Sequence, residues 1–480
     1  MTNSQQTLPK KGEIVDLVVQ SLAFGARGLA RLDDMVFFVE GGIPGQKVRA
    51  RIVSKKRSYY ETRVQEVLEE SPYWAEPRCR HYKSCGGCSL QHLQYEMQCS
   101  EKQSQVIDAL QRLGGFKEPP MVPILSAPAS YYYRNKMEFS FSRERWLTRD
   151  EIDSDESFDR SGLYAGMHAK GFFDKVVDLK ECHLIDPVAV SILDAVRELA
   201  RNSGLPVYST RDHQGFWRFL IVRRGINTGH LMVNVVAREY NKAIAGELKQ
   251  LLLDRFPEIT TLIYSTTSSK ASVAFSEKEY VLHGTGTIVE KLGDYEFEIS
   301  GNSFFQTNTK QAERLYDTVV EMAEFRGDEN VYDLYCGAGS ISIYISRLVK
   351  KVTGFESVES AVIDAYKNCS HNSINNCDFI LGDLKDRITD TQSIVGTHGA
   401  PDVMVIDPPR GGMHPNTVRA VLDMAPTKIV HVSCNPATLA RDLALLCEND
   451  YDLVAVKPVD MFPHTAHIEV VAKLVKRNTQ

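Results

Sequence analysis

The chain has 480 residues, room for about three domains at roughly 150 residues each. Hydrophobic residues make up 43% and charged residues 25%, ordinary values for a soluble globular protein. A formal charge of −6, from 56 Lys and Arg against 62 Asp and Glu, excludes a protein basic throughout but not one with a local basic stripe. No run reaches the roughly 18 apolar residues of a membrane span, and MTNSQQTLPKKGEIVDLVVQ at the start lacks the apolar run of a secretory signal. A cytoplasmic protein with no membrane partner and reduced thiols is expected.

Residues 5–70 read as short strands broken by turns. GEIVDLVVQSLA, MVFFVEGG, QKVRARIVSKK and YYETRVQEVLEE alternate and are rich in β-branched residues, with Gly41-Gly42 and Pro44-Gly45 as punctuation. Such a series predicts a small closed barrel of the OB type. Between Lys47 and Arg63, seven bases (Lys47, Arg49, Arg51, Lys55, Lys56, Arg57 and Arg63) stand against one acid, Glu61. A solvated face is the common origin of such runs. The excess of 7 − 1 = 6 positive charges in a net-negative chain, beside Tyr59 and Tyr60, points instead to nucleic-acid contact.

Residues 71–303 form the second region. Cys79, Cys85, Cys88 and Cys99 crowd its start, ahead of a helix in QYEMQCSEKQSQVIDALQRLGG that Gly114-Gly115 ends. Three close cysteines fit zinc, completed by Cys99, His81 or His92, or an iron–sulfur site; the spacing alone does not choose. Beyond residue 119 strand and helix patterns mix without clear periodicity. DEIDSDESFD (150–159), with six acids in ten, reads as a solvated loop.

Residues 304–480 alternate strands and helices: VYDLYC, VTGFE, FILGD, VMVIDPP, IVHVSC and IEVVAKLV. That alternation predicts a parallel, doubly wound α/β sheet, which binds ligands along its carboxyl edge. Gly337 and Gly339 form a tight turn after the first strand, where a ligand can approach the backbone. Glu356, Asp383 and Asp407 end the next three strands. An isolated acid there is usually a helix cap, but the series resembles the S-adenosylmethionine pocket of a methyltransferase. Cys434 ends the following strand. A thiol beside a methyl donor suits a carbon that is not nucleophilic by itself, such as carbon 5 of uracil or cytosine. Thiolate addition at carbon 6 makes carbon 5 nucleophilic, and a base must afterwards remove its proton. MFPHTAHIEVVAKL offers Glu469 as that base; His464, His467 and Glu469 as metal ligands match no common zinc spacing.

SFFQTN, DLYCGAG, GFE, IDPPRGG, HVSCNPATLARD and FPHTAHIE, in this order, resemble the RNA uracil-5-methyltransferases. The resemblance covers nearly the whole chain, including EPRCRHYKSCGGCSLQHLQYEMQ and a barrel similar to a TRAM domain. It implies a multidomain protein: a TRAM barrel (5–70), an α+β central domain with an iron–sulfur subdomain (71–303), and a Rossmann-like methyltransferase domain (304–480). It places the nucleophile on Cys434 and the proton acceptor on Glu469. Methyl-donor contacts fall on Gln306, Tyr335, Gly337, Ser340, Glu356, Asp383 and Asp407, with Ser340 where many members carry Asn and Tyr335 where many carry Phe. A 4Fe–4S cluster on Cys79, Cys85, Cys88 and Cys182 is implied in preference to zinc. So is 23S ribosomal RNA as substrate, since the tRNA-specific bacterial members generally lack barrel and cluster. Phe304 matches an aromatic of the uracil pocket, with a core role as the alternative; Arg134 and Lys136 resemble RNA contacts. A monomer is expected. The rivals are a tRNA uracil-5-methyltransferase, an amino-methyltransferase (IDPPR, with Arg410 replacing the aromatic), a cytosine-5 enzyme, and a non-catalytic RNA-binding iron–sulfur protein.

Overall fold

The computed structural model describes residues 9–154, 158–172, 174–388 and 390–477. Residues 155–157 of the acidic run fall outside them. Part of that run is a short helix whose cap, Thr148, pairs reciprocally with Glu151.

Five strands, β1 (Ile14–Ala23), β2 (Arg27–Leu32), β3 (Met35–Glu40), β4 (Lys47–Lys55) and β5 (Tyr59–Glu69), close into a barrel in the order β1-β2-β3-β5-β4. The strand the sequence pattern missed is β2, six residues between turns in which Ala26, Asp33 and Asp34 take positive φ. Alternation turns Val48, Ala50 and Ile52 inward and Arg49 and Arg51 outward. The basic run is narrower than its composition. Lys47 pairs with Glu69, Arg49 with Asp16 and Glu66, and Arg63 with Glu40. Arg51, Lys55, Lys56 and Arg57 remain without an ion pair among the described residues. Tyr60 is no nucleotide platform either: it is fully buried and stacks on Phe37 at 4.7 Å.

Helix α1 (Tyr95–Arg112) leads into a seven-stranded mixed sheet, with α2 (Arg149–Asp153) as the short acidic helix. The strands β6 (Lys136–Glu144), β7 (Ser161–His168), β8 (Val176–Asp178), β9 (Trp217–Arg224), β10 (Leu231–Ala237), β11 (Thr261–Thr266) and β12 (Lys278–His283) run in the order β12-β11-β10-β9-β6-β7-β8. Helices α3 (Val188–Asn202) and α4 (Lys242–Arg255) cover one face, packing Ile192, Val196 and Leu248 on Phe139, Leu220 and Val233.

A hairpin, β13 (Thr287–Leu292) and β14 (Tyr295–Ser300), precedes the C-terminal body. That body continues with α5 (Thr309–Ala323), β15 (Asn330–Leu334), α6 (Ser340–Ile345), β16 (Lys351–Glu356), α7 (Glu359–His371) and β17 (Cys377–Leu381). Then come α8 (Leu384–Arg387), α9 (Thr391–His398), β18 (Val403–Ile406), α10 (Pro415–Met424), β19 (Lys428–Ser433), α11 (Pro436–Leu446), β20 (Tyr451–Val459) and β21 (Glu469–Lys476). The sheet order is β17-β16-β15-β18-β19-β21-β20. Its first five strands are parallel, but β21 runs antiparallel to both neighbours, so the sheet is not wholly parallel as expected. The cause is the connection. A parallel return needs a crossover of a dozen or more residues, whereas β20 reaches β21 through residues 460–468 alone.

Helix α1 docks on this body. Val106 and Leu110 join Leu443, Leu446, Tyr451 and Val456 in one apolar cluster, and Lys102 pairs with Asp460 at 2.6 Å, the side chains 1% and 0% exposed. A buried ion pair adds little net stability, but removing one partner strands the other charge at about 3–5 kcal/mol. Lys102→Met should therefore lower the melting temperature well below that of Lys102→Met/Asp460→Leu, which leaves no charge behind; equal melting temperatures would contradict the pairing.

Candidate active site

The carboxyl ends of β15, β16, β18 and β19 meet where the strand order reverses, between β15 and β18. After β15 the chain turns through Tyr335, Gly337 and Gly339, all at positive φ. The two glycines differ. A Cβ on Gly339 would come within 3.0 Å of Phe379, a packing requirement, while one on Gly337 would meet nothing within 4 Å. Gly337 is the open side of the turn.

Its amide donates to Glu356 Oε2 at 3.0 Å, while Oε1 accepts from the amides of Ser357 and Val358. Glu356 is thus fixed at the end of β16, and Oε2 keeps a lone pair for a further donor. Asp383 follows β17 and caps α8, accepting from Lys385 N at 3.1 Å. The hydrogen bond from Lys385 holds its carboxyl below the usual range. Ser340 opens α6, its hydroxyl 2.9 Å from that of Tyr316 on α5. Gln306 precedes α5, its carbonyl accepting from Asn135 at 2.8 Å.

Cys434 and Glu469 are brought together by strand pairing. β19 and β21 are antiparallel with Ser433 opposite Val470, so the next position of the same register sets Cys434 opposite Glu469. Asp407 follows β18, and its amide donates to Leu334 O at 3.2 Å. Electrostatics report the same proximity. Burial pushes the Cys434 thiol up to about 11, the negative charges of Glu469 and Asp407 add to the rise, and Arg410 opposes it. Burial, then Asp407, lifts the Glu469 carboxyl well above its ordinary value. Burial raises Asp407 to about 6, against the pull of His431. Burial thus biases Cys434, Glu469 and Asp407 toward their neutral forms.

Asp333, Tyr316 and Arg410 belong to this site and carried no sequence assignment as site groups. Asp333 lies inside β15 with its carboxyl raised to about 7 by burial; Ser342 donates to it at 2.6 Å, and its Oδ1 has no partner. Tyr316, fully buried, senses Asp407, Asp333 and Glu469. A strand-interior acid in an apolar run and a helical tyrosine carry no sequence signal; Arg410, after the Pro-Pro turn, does. Phe304 is 74% exposed, which rules out the core role. Lys136 is ion-paired with Glu138, and Arg134 lies over the Phe462 ring at 5.9 Å.

The second candidate site is a cavity of about 30 Å³ lined by Cys79, Cys85, Cys88 and Cys182, with Arg134 and Met167 among its walls. All four are free thiols, and burial raises each. The alternatives weighed for a fourth zinc ligand are engaged elsewhere: His81 with Lys180 N, His92 with Tyr82, and Cys99 with Asp460. Among the described residues no three His, Cys, Asp or Glu side chains are arranged to hold a single metal ion. His464 Nδ1 stands 3.1 Å from Gln98 Nε2, and its Nε2 has no partner among the described residues.

Known proteins resemble this chain over nearly its whole length. The family described as tRNA (Uracil-5-)-methyltransferase matches residues 234–477. An uncharacterised RNA methyltransferase of Chlorobaculum tepidum is 41% identical over 98% of this chain and 97% of its own, and one of Porphyromonas gingivalis is 42% identical over 98% and 100%. A solved Pyrococcus abyssi tRNA (uracil-54, C5)-methyltransferase, in complex with S-adenosyl-L-homocysteine, superposes with a TM-score of 0.73 at 27% identity, covering 96% of this chain and 100% of its own. The chain belongs to the RNA uracil-5-methyltransferase family.

The charge arrangement makes a prediction. Because Glu469 and Asp407 both raise the Cys434 thiol, Asp407→Asn and Glu469→Gln should each lower its pKa. Alkylation of Cys434 by iodoacetamide, followed by peptide mass spectrometry, should then run faster than in the parent protein at the same mildly alkaline pH. Unchanged alkylation in both variants would place the acids away from the thiol.

Proposed function

We propose that the protein methylates carbon 5 of uridine in 23S ribosomal RNA, through a covalent adduct of Cys434 at carbon 6. The observation that carries the mechanism is the register of β19 and β21, whose last pair, Ser433 with Val470, stands one residue from both Cys434 and Glu469, with Asp407 and Glu469 both raising the thiol. When bound, S-adenosylmethionine supplies an electrophilic methyl group. The site fits such a cation: Asp407 and Glu356 add to the rise of the Asp333 carboxyl, and Asp407 to that of Glu469. A neighbouring positive charge lowers Asp333, Asp407 and Glu469, and the Cys434 thiol with them. Donor binding thus favours the thiolate and a basic Glu469.

Cys434 then adds to carbon 6, and carbon 5 takes the methyl group. Glu469 accepts the carbon-5 proton; the electrons of that C–H bond restore the 5,6 double bond, and the carbon 6–sulfur pair returns to Cys434. Gln306, Tyr335, Gly337, Ser340, Glu356 and Asp383 line the donor side in this reading, with Glu356 placed for ribose hydroxyls. The target base must leave its stack to reach Cys434, and the exposed Phe304 ring is available to receive it.

The barrel, read as a TRAM domain, would meet RNA phosphates through Arg51, Lys55, Lys56 and Arg57. Ribosomal RNA is supported by the resemblance to members carrying barrel and cysteine segment. A tRNA substrate is the second reading, favoured by the Pyrococcus abyssi tRNA enzyme, whose match spans 96% of this chain. The barrel alone therefore does not decide between them. A cytoplasmic location accords with either RNA.

Four thiols around one cavity form a donor set suited to a 4Fe–4S cluster on Cys79, Cys85, Cys88 and Cys182. The cluster would order the cysteine segment; methyl transfer to carbon 5 needs no electron.

Glu469→Gln tests the mechanism. The amide variant can add Cys434 and accept the methyl group on carbon 5, but it cannot readily remove the proton, so methylated RNA should remain attached to protein under denaturing conditions. Cys434→Ala should form no adduct and keep its affinity for S-adenosylmethionine. Free product released by Glu469→Gln at the parent rate would remove Glu469 from the reaction. For the cysteine site, anaerobically purified protein should be brown, with about four iron and four sulfide per chain, and Cys85→Ser should be colourless; stoichiometric zinc without sulfide would refute the cluster.

A further inference from the structure

Strand pairing holds Glu469 from its C-terminal side, and the strap before it, residues 460–468, leads into it from the other. That strap has no regular structure, and its anchors come largely from the N-terminal half of the chain. The Asp460 carboxylate lies 2.6 Å from Lys102 Nζ, which also donates to Phe462 O at 3.1 Å. Gln98 Oε1 accepts from His464 N at 2.9 Å, and Gln98 Nε2 stands 3.1 Å from His464 Nδ1. The amides of Ser89 and Leu90, just after Cys88, both donate to His464 O, at 2.8 and 3.0 Å. Tyr133 donates to Pro463 O at 3.0 Å. His464 itself is held at φ +63°, a conformation a side-chain-bearing residue keeps only when its surroundings impose it.

All of this is buried. Gln98 and Asp460 are fully enclosed, and Lys102 and His464 nearly so. Burying polar groups is unfavourable unless they are hydrogen-bonded; these contacts pair the strap's carbonyls and the Asp460 carboxylate, while His464 Nε2 has no partner among the described residues. The strap's first residue, Asp460, follows Val459, which pairs with Glu469 across β20 and β21. The strap thus closes a loop between two paired residues, Val459 and Glu469, and its last residues lead directly into Glu469.

We propose that helix α1 and the loop after Cys88 form a clasp on the 460–468 strap that sets the position of Glu469 against Cys434, making Gln98 and Lys102 positioning residues for proton removal. The clasp rests on the reaction proposed above and adds a role for the cysteine-bearing segment within it. The step it serves is elimination: the carbon-5 proton passes to Glu469 as the carbon 6–sulfur bond breaks. Addition and methyl transfer, which use Cys434 and the donor side, do not depend on the clasp.

Gln98→Leu is of similar size and removes both contacts to His464; Lys102→Met/Asp460→Leu removes the ion pair without stranding a charge. Each full-length variant is incubated with methyl-labelled S-adenosylmethionine and total RNA from a strain deleted for the gene, which contains the unmethylated target whichever RNA carries it. A misplaced catalytic group costs about 100-fold, so free product should form about 100-fold more slowly. Affinity for S-adenosylmethionine should be unchanged, and label should accumulate on protein in a Cys434-dependent adduct. Turnover at the parent rate overturns the proposal. So does a slow variant that forms no adduct or has lost donor affinity, because α1 would then serve stability alone. Glu469→Gln, run in parallel, separates the two levels: if it too forms no adduct, the assignment of the base fails, whereas if it forms one and the clasp variants do not, only the clasp fails.

Discussion

The antiparallel pairing of the last strand with β19 is the constraint on which the site depends. The five parallel strands of the C-terminal sheet bring Glu356, Asp383, Asp407 and Cys434 to one edge, because parallel strands all end on the same side. A carboxyl facing that edge from the start of a strand requires one that runs the other way. β21 is that strand, and Glu469 is its first residue. The short link from β20 enforces the reversal, and the register places the carboxyl opposite the thiol.

Burial then tunes the groups that pairing assembles. In the free protein desolvation favours the neutral forms of Cys434, Glu469 and Asp333. The same carboxylates that raise one another would attract a sulfonium, and its charge would release the protons that chemistry needs gone. Binding and activation are then one electrostatic event.

Much of this was legible in the sequence because each strand end carries its functional residue at a fixed step from an apolar run: Glu356 after VTGF, Asp407 after VMVI, Cys434 after IVHVS. The barrel's closure was legible from alternation, although β2 is too short to announce itself. Other features depend on distance in the chain. Lys47, Arg49 and Arg63 look like RNA contacts until their cross-strand acids are known, and Tyr60 looks like a platform until Phe37 is found beneath it. Cys182, nearly a hundred residues beyond Cys88, meets the other thiols only through the fold. Asp333 and Tyr316 sit in patterns indistinguishable from core. The buried Lys102–Asp460 pair, 358 residues apart, has no local signature at all.

The central claim is that Cys434 attacks carbon 6 of a uracil whose carbon 5 then takes the methyl group. It is tested most directly with target RNA transcribed to carry 5-fluorouracil. Addition and methyl transfer can proceed on that base, but carbon 5 bears fluorine in place of the proton Glu469 must remove, so the reaction stops at the adduct. Mass spectrometry of the digested complex should find the Cys434 peptide carrying a methylated fluorouracil nucleotide, formed only when S-adenosylmethionine is present. Absence of any adduct, or its appearance on another cysteine, would contradict the account.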